Sequence, residues 1–165
     1  MSYLAEYVAK AVYSLLQGGI EAALAAVASR WESDPVDLGS VQNWQFGHSP
    51  TVLERKKAEF PIVSVIPGPS MPQETSDQWV LPSALYEVYV DLFMAEDTEE
   101  KVTKKLLRYC EAAMDIFEAS EEIPNGGMQA ALPAVDPSEV SRQHVEGMNI
   151  EYFTQWARVS LVIER

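Results

Sequence analysis

The chain has 165 residues, a formal charge of −13 and a sequence pI near 4.5, with 47% apolar and 22% charged residues. That length supports one domain, spanning 1–165, with a core that needs no disulfide staples, and the composition excludes a low-complexity or disordered spacer. The acidic balance disfavours adhesion to phosphate backbones or anionic lipid headgroups, so nucleic-acid wrapping and membrane adsorption are not expected.

Apolar residues at Leu4, Val8, Val12, Leu15 and Leu16, then at Ile20, Leu24 and Val27, follow three-and-four spacing and predict helix from Ser2 to Trp31. Gly18-Gly19 costs about 1 kcal/mol per glycine relative to alanine in a helix, which predicts a kink or two successive helices. The run is broken by Lys10, Gln17 and Glu21 and has neither the basic start nor the cleavage site of a signal peptide. From Ser33 to Glu59 there is no sustained period, and Asp34-Pro35, Gly39-Ser40, Gly47 and Ser49-Pro50 predict a long ordered loop. Its aromatics, Trp44 and Phe46, are expected to cover an edge of the core, with partner contact as the other reading.

Phe60 to Ile66 reads as a short strand that stops at Pro67-Gly68-Pro69, followed by a polar connector from Ser70 to Gln78 that is expected to move in the free subunit. The clearest strand is next. Tyr86, Val88, Val90, Leu92 and Met94 share one face and Leu85, Glu87, Tyr89, Asp91 and Phe93 the other. Asp97-Thr98-Glu99-Glu100 predicts a capping box opening a helix to Ala119, whose stripe is Val102, Leu106, Cys110, Ala113, Met114 and Phe117. Lys101, Lys104, Lys105 and Arg108 read as one solvated face of that helix. Glu121 to Pro137 is expected to be loop and Glu139 to Val145 a weaker strand. A second long strand closes the chain, with Phe153, Gln155, Ala157, Val159, Leu161 and Ile163 alternating against Tyr152, Thr154, Trp156, Arg158, Ser160 and Val162. The order predicts an α+β fold, a mostly antiparallel sheet with helices packed on one face.

Chemistry is hard to find in this sequence. The chain has two histidines, His48 and His144, both in predicted loop or edge segments, and a single cysteine, Cys110, on an apolar helix stripe. There is no Cys-x-x-Cys, no His-x-x-x-His, no calcium loop and no phosphate loop, and helix capping accounts for Glu96, Asp97, Glu99 and Glu100. The expectation is a protein that is not an enzyme and needs no cofactor or metal. What stands out is the second face of the sheet, where Tyr89, Tyr152 and Trp156 are interleaved with charges. Either a helix packs over it or another copy of the protein does.

In the order of its segments, the chain resembles the phage and prophage tail terminator (tail completion, neck) proteins. The segments are the N-terminal helix, the Trp-bearing loop, Glu59-Phe60-Pro61-Ile62-Val63-Ser64-Val65, the strand Leu85 to Met94, the capped helix Asp97 to Ala119 and the strand Phe153 to Ile163. The resemblance implies a virion structural protein, assembled in the host cytoplasm, whose subunits form a ring, commonly a hexamer. Such a ring caps the tail tube and joins it to the head connector protein, and DNA passes through without specific binding. It implies partners in the tail tube, the connector and further copies of itself, and no membrane. Trp44, Phe46, Tyr89, Tyr152 and Trp156 are then the candidate contacts, and Glu74 and Asp77 the candidate lumen or tube-facing carboxylates that would repel a phosphate backbone. Another head–tail connector, a partner-binding module and an enzyme with an unrecognised site are the competing readings.

Overall fold

The computed structural model describes residues 2–48, 55–72, 84–145 and 150–165. Helix α1 (Ser2–Arg30) is followed by β1 (Asn43–Phe46), a 3₁₀ turn (Lys57–Glu59), β2 (Ile62–Pro72), β3 (Ala84–Glu96) and α2 (Glu99–Glu118). The short strands β4 (Glu122–Ile123), β5 (Gly127–Gln129), β6 (Ala134–Pro137) and β7 (Ser141–Val145) lead to the long closing strand β8 (Ile150–Glu164). These strands make one mixed sheet in the order β1-β2-β3-β8-β5-β4, with β6 and β7 also on β8. Only β1–β2 is parallel among the described pairs, so the fold is α+β with a mostly antiparallel sheet.

The two alternating runs lie side by side. Along the β3–β8 ladder Val88 faces Leu161, Val90 faces Val159 and Leu92 faces Ala157, so a period of two in each strand gives a single apolar face. Val65 extends that face onto β2 opposite Val90. Both helices lie over it, α1 through Val8, Val12, Leu16, Ile20, Leu24 and Val27 and α2 through Val102, Leu106, Tyr109, Ala113 and Phe117. Val88 and Leu161 are fully buried, as the common-sheet expectation requires.

Helix α1 runs unbroken through Gly18-Gly19. Leu16, Ile20 and Leu24 stay buried on either side of the pair, and burial of each such side chain, about 1.5–3 kcal/mol, outweighs the glycine penalty. Leu4–Arg30 is long and apolar enough to cross a bilayer, with a mean hydropathy of 1.4 in its most apolar window. Its apolar stripe packs on the sheet, and Glu6, Lys10, Gln17 and Glu21 lie on the exposed side.

Several other expectations are corrected. The predicted loop from Ser33 to Glu59 contains β1, whose four residues pair with Ile62–Val65. Strand β2 continues through Pro67-Gly68-Pro69 to Pro72, with a register shift between Pro67 and Ser70. The prolines are tolerated because β1 ends opposite Val65, so this half of β2 pairs with β3 alone among the described strands. Ser70–Pro72 of the predicted connector are thus strand, and the remainder of that segment, Glu74 and Asp77 included, lies outside the described residues. The α2 N-cap is Thr98, whose hydroxyl accepts from the Lys101 amide, while Asp97 instead pairs with Lys57. Lys105 and Arg108 are buried, bound to Glu96 and Asp34 respectively, so the basic cluster is not one solvated face. The predicted loop from Glu121 to Pro137 holds β4, β5 and β6. The expected strand in Glu139 to Val145 is present as β7.

Candidate interaction surface

The face of the sheet away from the helices divides into a closed end and an open middle. At the closed end Phe60, Ile62, Phe93, Ala95 and Tyr152 form a small second core. The segment before β2 helps close it: the Tyr152 hydroxyl donates to the Arg55 carbonyl at 2.8 Å. Tyr152 is only 5% exposed, which removes it from the set of accessible contacts.

In the middle the pairing register lines up a row of cross-strand partners. Phe93 lies opposite Trp156, Asp91 opposite Arg158 and Tyr89 opposite Ser160. The Phe93 and Trp156 rings stack with centroids 5.8 Å apart. The Arg158 guanidinium makes two parallel bonds to the fully buried Asp91, Nε to Oδ1 at 2.8 Å and Nη2 to Oδ2 at 2.9 Å. It also lies 4.6 Å from the Tyr89 ring centre and 5.9 Å from that of Trp156. Hydrogen bonding to Asp91 raises the Arg158 pKa above its already high ordinary value, so the charge is permanent. The Tyr89 hydroxyl donates to Glu87, and that bond with a carboxylate pushes the phenol pKa up. Trp156 remains 37% exposed. The result is an aromatic and arginine platform whose side chains are already fixed, so a partner would order little on binding.

The other predicted contacts are elsewhere. Trp44 and Phe46 project from β1 onto Tyr13 of α1, ring centres 5.6 and 6.0 Å apart, and both pack against the main core. They cover a core edge and stay half-buried. Sequence reasoning found Tyr89 and Trp156 by their alternation but missed Arg158 as their organiser, because its partner Asp91 is 67 residues away.

A second concentration of charge joins the two helices at the α1 C-terminus. Arg30 binds Glu111 and Asp115, the Trp31 indole donates to Glu111 at 2.9 Å, and Arg108 lies over the Trp31 ring. Lys104 bridges Asp34 and Glu100, and its hydrogen bond holds the Asp34 carboxyl below the usual range. These groups satisfy one another and tie the connection after α1 to α2, which is a structural task.

His48 and His144 are exposed, and Cys110 is buried on α2 with its thiol pushed up to about 11 by desolvation. Among the described residues no cluster of three or more His, Cys, Asp or Glu could hold a metal ion. The thiol gives a direct test of this packing. Cys110 should resist an aromatic disulfide reagent in the native state and react fully in denaturant. Rapid native labelling at neutral pH would show that α2 does not seal the core as described.

No protein-family model and no curated protein matches the chain. Among solved structures, a chain of the virion of a native gene transfer agent particle is similar over 96% of this chain and 97% of its own, at 14% identity and a TM-score of 0.36. Likeness at that level leaves function to be read from the residues of this chain.

Proposed function

We propose that the chain is a virion structural subunit of a phage-type particle that assembles into a ring, closes the end of a tail tube and joins it to the head connector. The observation that carries this reading is the platform of Tyr89, Trp156 and Arg158. It is fixed by Phe93 and Asp91 and left half-open on a face the helices do not cover. Aromatic and arginine side chains held in place are what protein interfaces use as anchors. The ordered segments of the sequence agree with a tail terminator subunit. The charge of −13 fits a channel that duplex DNA crosses without sticking, since like charge opposes phosphate binding.

The platform is assigned to the neighbouring protein of the tail, because a ring needs an axial contact as well as its lateral ones. Native mass measurement of the purified chain should give a closed cyclic oligomer, and that oligomer should attach to isolated tail tubes. The double variant Tyr89→Ser with Trp156→Ser should keep the oligomer and lose attachment by about a hundredfold. A wild-type chain that stays monomeric and leaves tubes uncapped would overturn the reading.

A further inference from the structure

Each subunit also carries a knob and a groove on opposite sides of its sheet. Leu132, in the connection between β5 and β6, is 88% exposed, the most exposed large apolar side chain among the described residues. It is not at the tip of a loose loop. The Ala130 amide donates to the Val162 carbonyl at 2.8 Å, and the Gln129 side-chain amide donates to the carbonyls of Phe117 and Ser120 at 2.6 and 2.7 Å. Pro133 follows directly and restricts the backbone further. The structure therefore holds an apolar side chain out in water on a fixed support.

On the far edge of the sheet, a groove of about 500 Å³ runs between the start of α1 and the irregular half of β2, lined by Ala5, Glu6, Phe46, Pro67 and Pro69. Its walls are stiff. Phe46 is braced edge-on by Tyr13, and Gly68 lies so close to β3 that an added Cβ would come within 2.9 Å of the Glu87 carbonyl oxygen. Glu6 at the rim is neutralised by Lys10.

Charge indicates what fills the groove. Two copies of a chain with charge −13 repel wherever carboxylates meet, so self-contact is least opposed through uncharged surface. The knob lies in such a stretch, Ile123 to Val135, and the β2 wall of the groove in another, Phe60 to Pro72; neither contains a charged residue. Groove and knob flank opposite edges of the order β1-β2-β3-β8-β5, so one copy cannot fill its own groove. We propose that Leu132 of one copy seats in the Ala5–Phe46–Pro67–Pro69 groove of the next, forming the lateral seam of the ring. The contact joins unlike surfaces and so repeats head to tail, as a cyclic assembly needs. This seam rests on the ring reading above and gives it a location.

Two blocking variants test it. Leu132→Asp removes the knob, and Glu6→Trp fills the groove from an exposed helix position; both should fold with wild-type circular dichroism and denaturation midpoints. Each alone should sediment as a monomer, with the concentration needed for assembly raised on the order of a hundredfold. Mixed in equal amounts they should form a one-to-one dimer and nothing larger. The intact Leu132 of the groove-blocked chain can still enter the intact groove of the knobless one, but no second seam can form. Assembly of Leu132→Asp at wild-type concentrations, or a mixture that stays monomeric, would overturn the seam while wild-type rings leave the ring reading standing. A wild-type chain that never leaves the monomer would overturn both.

Discussion

Replacing Val90 by Asp should cost about 4 kcal/mol or more of unfolding free energy at neutral pH, a large share of the roughly 5–15 kcal/mol that holds an ordinary domain folded. Val90 is in the middle of β3, fully buried, with Val65 beside it on β2 and Val159 on β8. The cluster around it is made of apolar side chains together with Tyr86, Tyr109 and Cys110, and the Tyr109 hydroxyl is already used, donating to the Leu38 carbonyl at 2.9 Å. A carboxylate placed there has no cation to meet, so the folded state would favour its protonated form and raise its pKa. The sign follows. The introduced acid binds its proton more tightly in the folded chain, so the damage should be smallest below about pH 4, the unfolded carboxyl range. It should grow as the pH rises toward the raised folded value. Urea titration at both pH values tests this. Ser160→Asp, one residue along from the Val90 partner but on the opposite face and half-exposed, should cost under about 1 kcal/mol. Equal effects at the two sites would mean the faces are misassigned.

The contrast between those two positions also marks how far the sequence can be read. In β3 and β8 the alternation is long enough that Val88, Val90, Val159 and Leu161 declare one face by themselves, and in α2 the stripe from Val102 to Phe117 does the same. Short strands carry no such signal. Asn43–Phe46 becomes β1 because Ile62–Val65 offers it an edge, and Gly127–Gln129 becomes β5 because β8 extends to Glu164; both depend on partners distant in sequence. Prolines in β2 read as a stop, yet a strand beyond the reach of β1 can hold them. Lys105 and Arg108 look like surface residues until Glu96 and Asp34 are placed beside them. The candidate site divides in the same way. Tyr89 and Trp156 were visible as aromatics on an outer face, whereas the burial of Tyr152 depends on the segment carrying Arg55, and the exposure of Leu132 depends on how β5 and β6 reach β8.

The other large effect is expected at Arg158. Changing it to Met keeps much of its apolar stem but removes the guanidinium that faces the fully buried Asp91 carboxylate, and the expected loss is about 3 kcal/mol. Most of that loss reflects a charge kept from water after its cation has gone, so it should not measure what the pair contributes in the intact protein. Removing both charges separates the two quantities. The double variant Asp91→Val with Arg158→Met should recover most of the stability, because paired apolar side chains suit adjacent strands and no desolvated charge remains. Its partner binding should not recover. Arg158 is also the cation lying against Tyr89 and Trp156, and in the proposed reading that half-exposed side chain is what the platform would present to a neighbour. A double variant that folds well yet fails to attach to tail tubes would therefore show that the ion pair is there to hold an arginine in a binding surface. Full attachment by the same protein would reduce the pair to a feature of sheet packing and leave the platform to its aromatics.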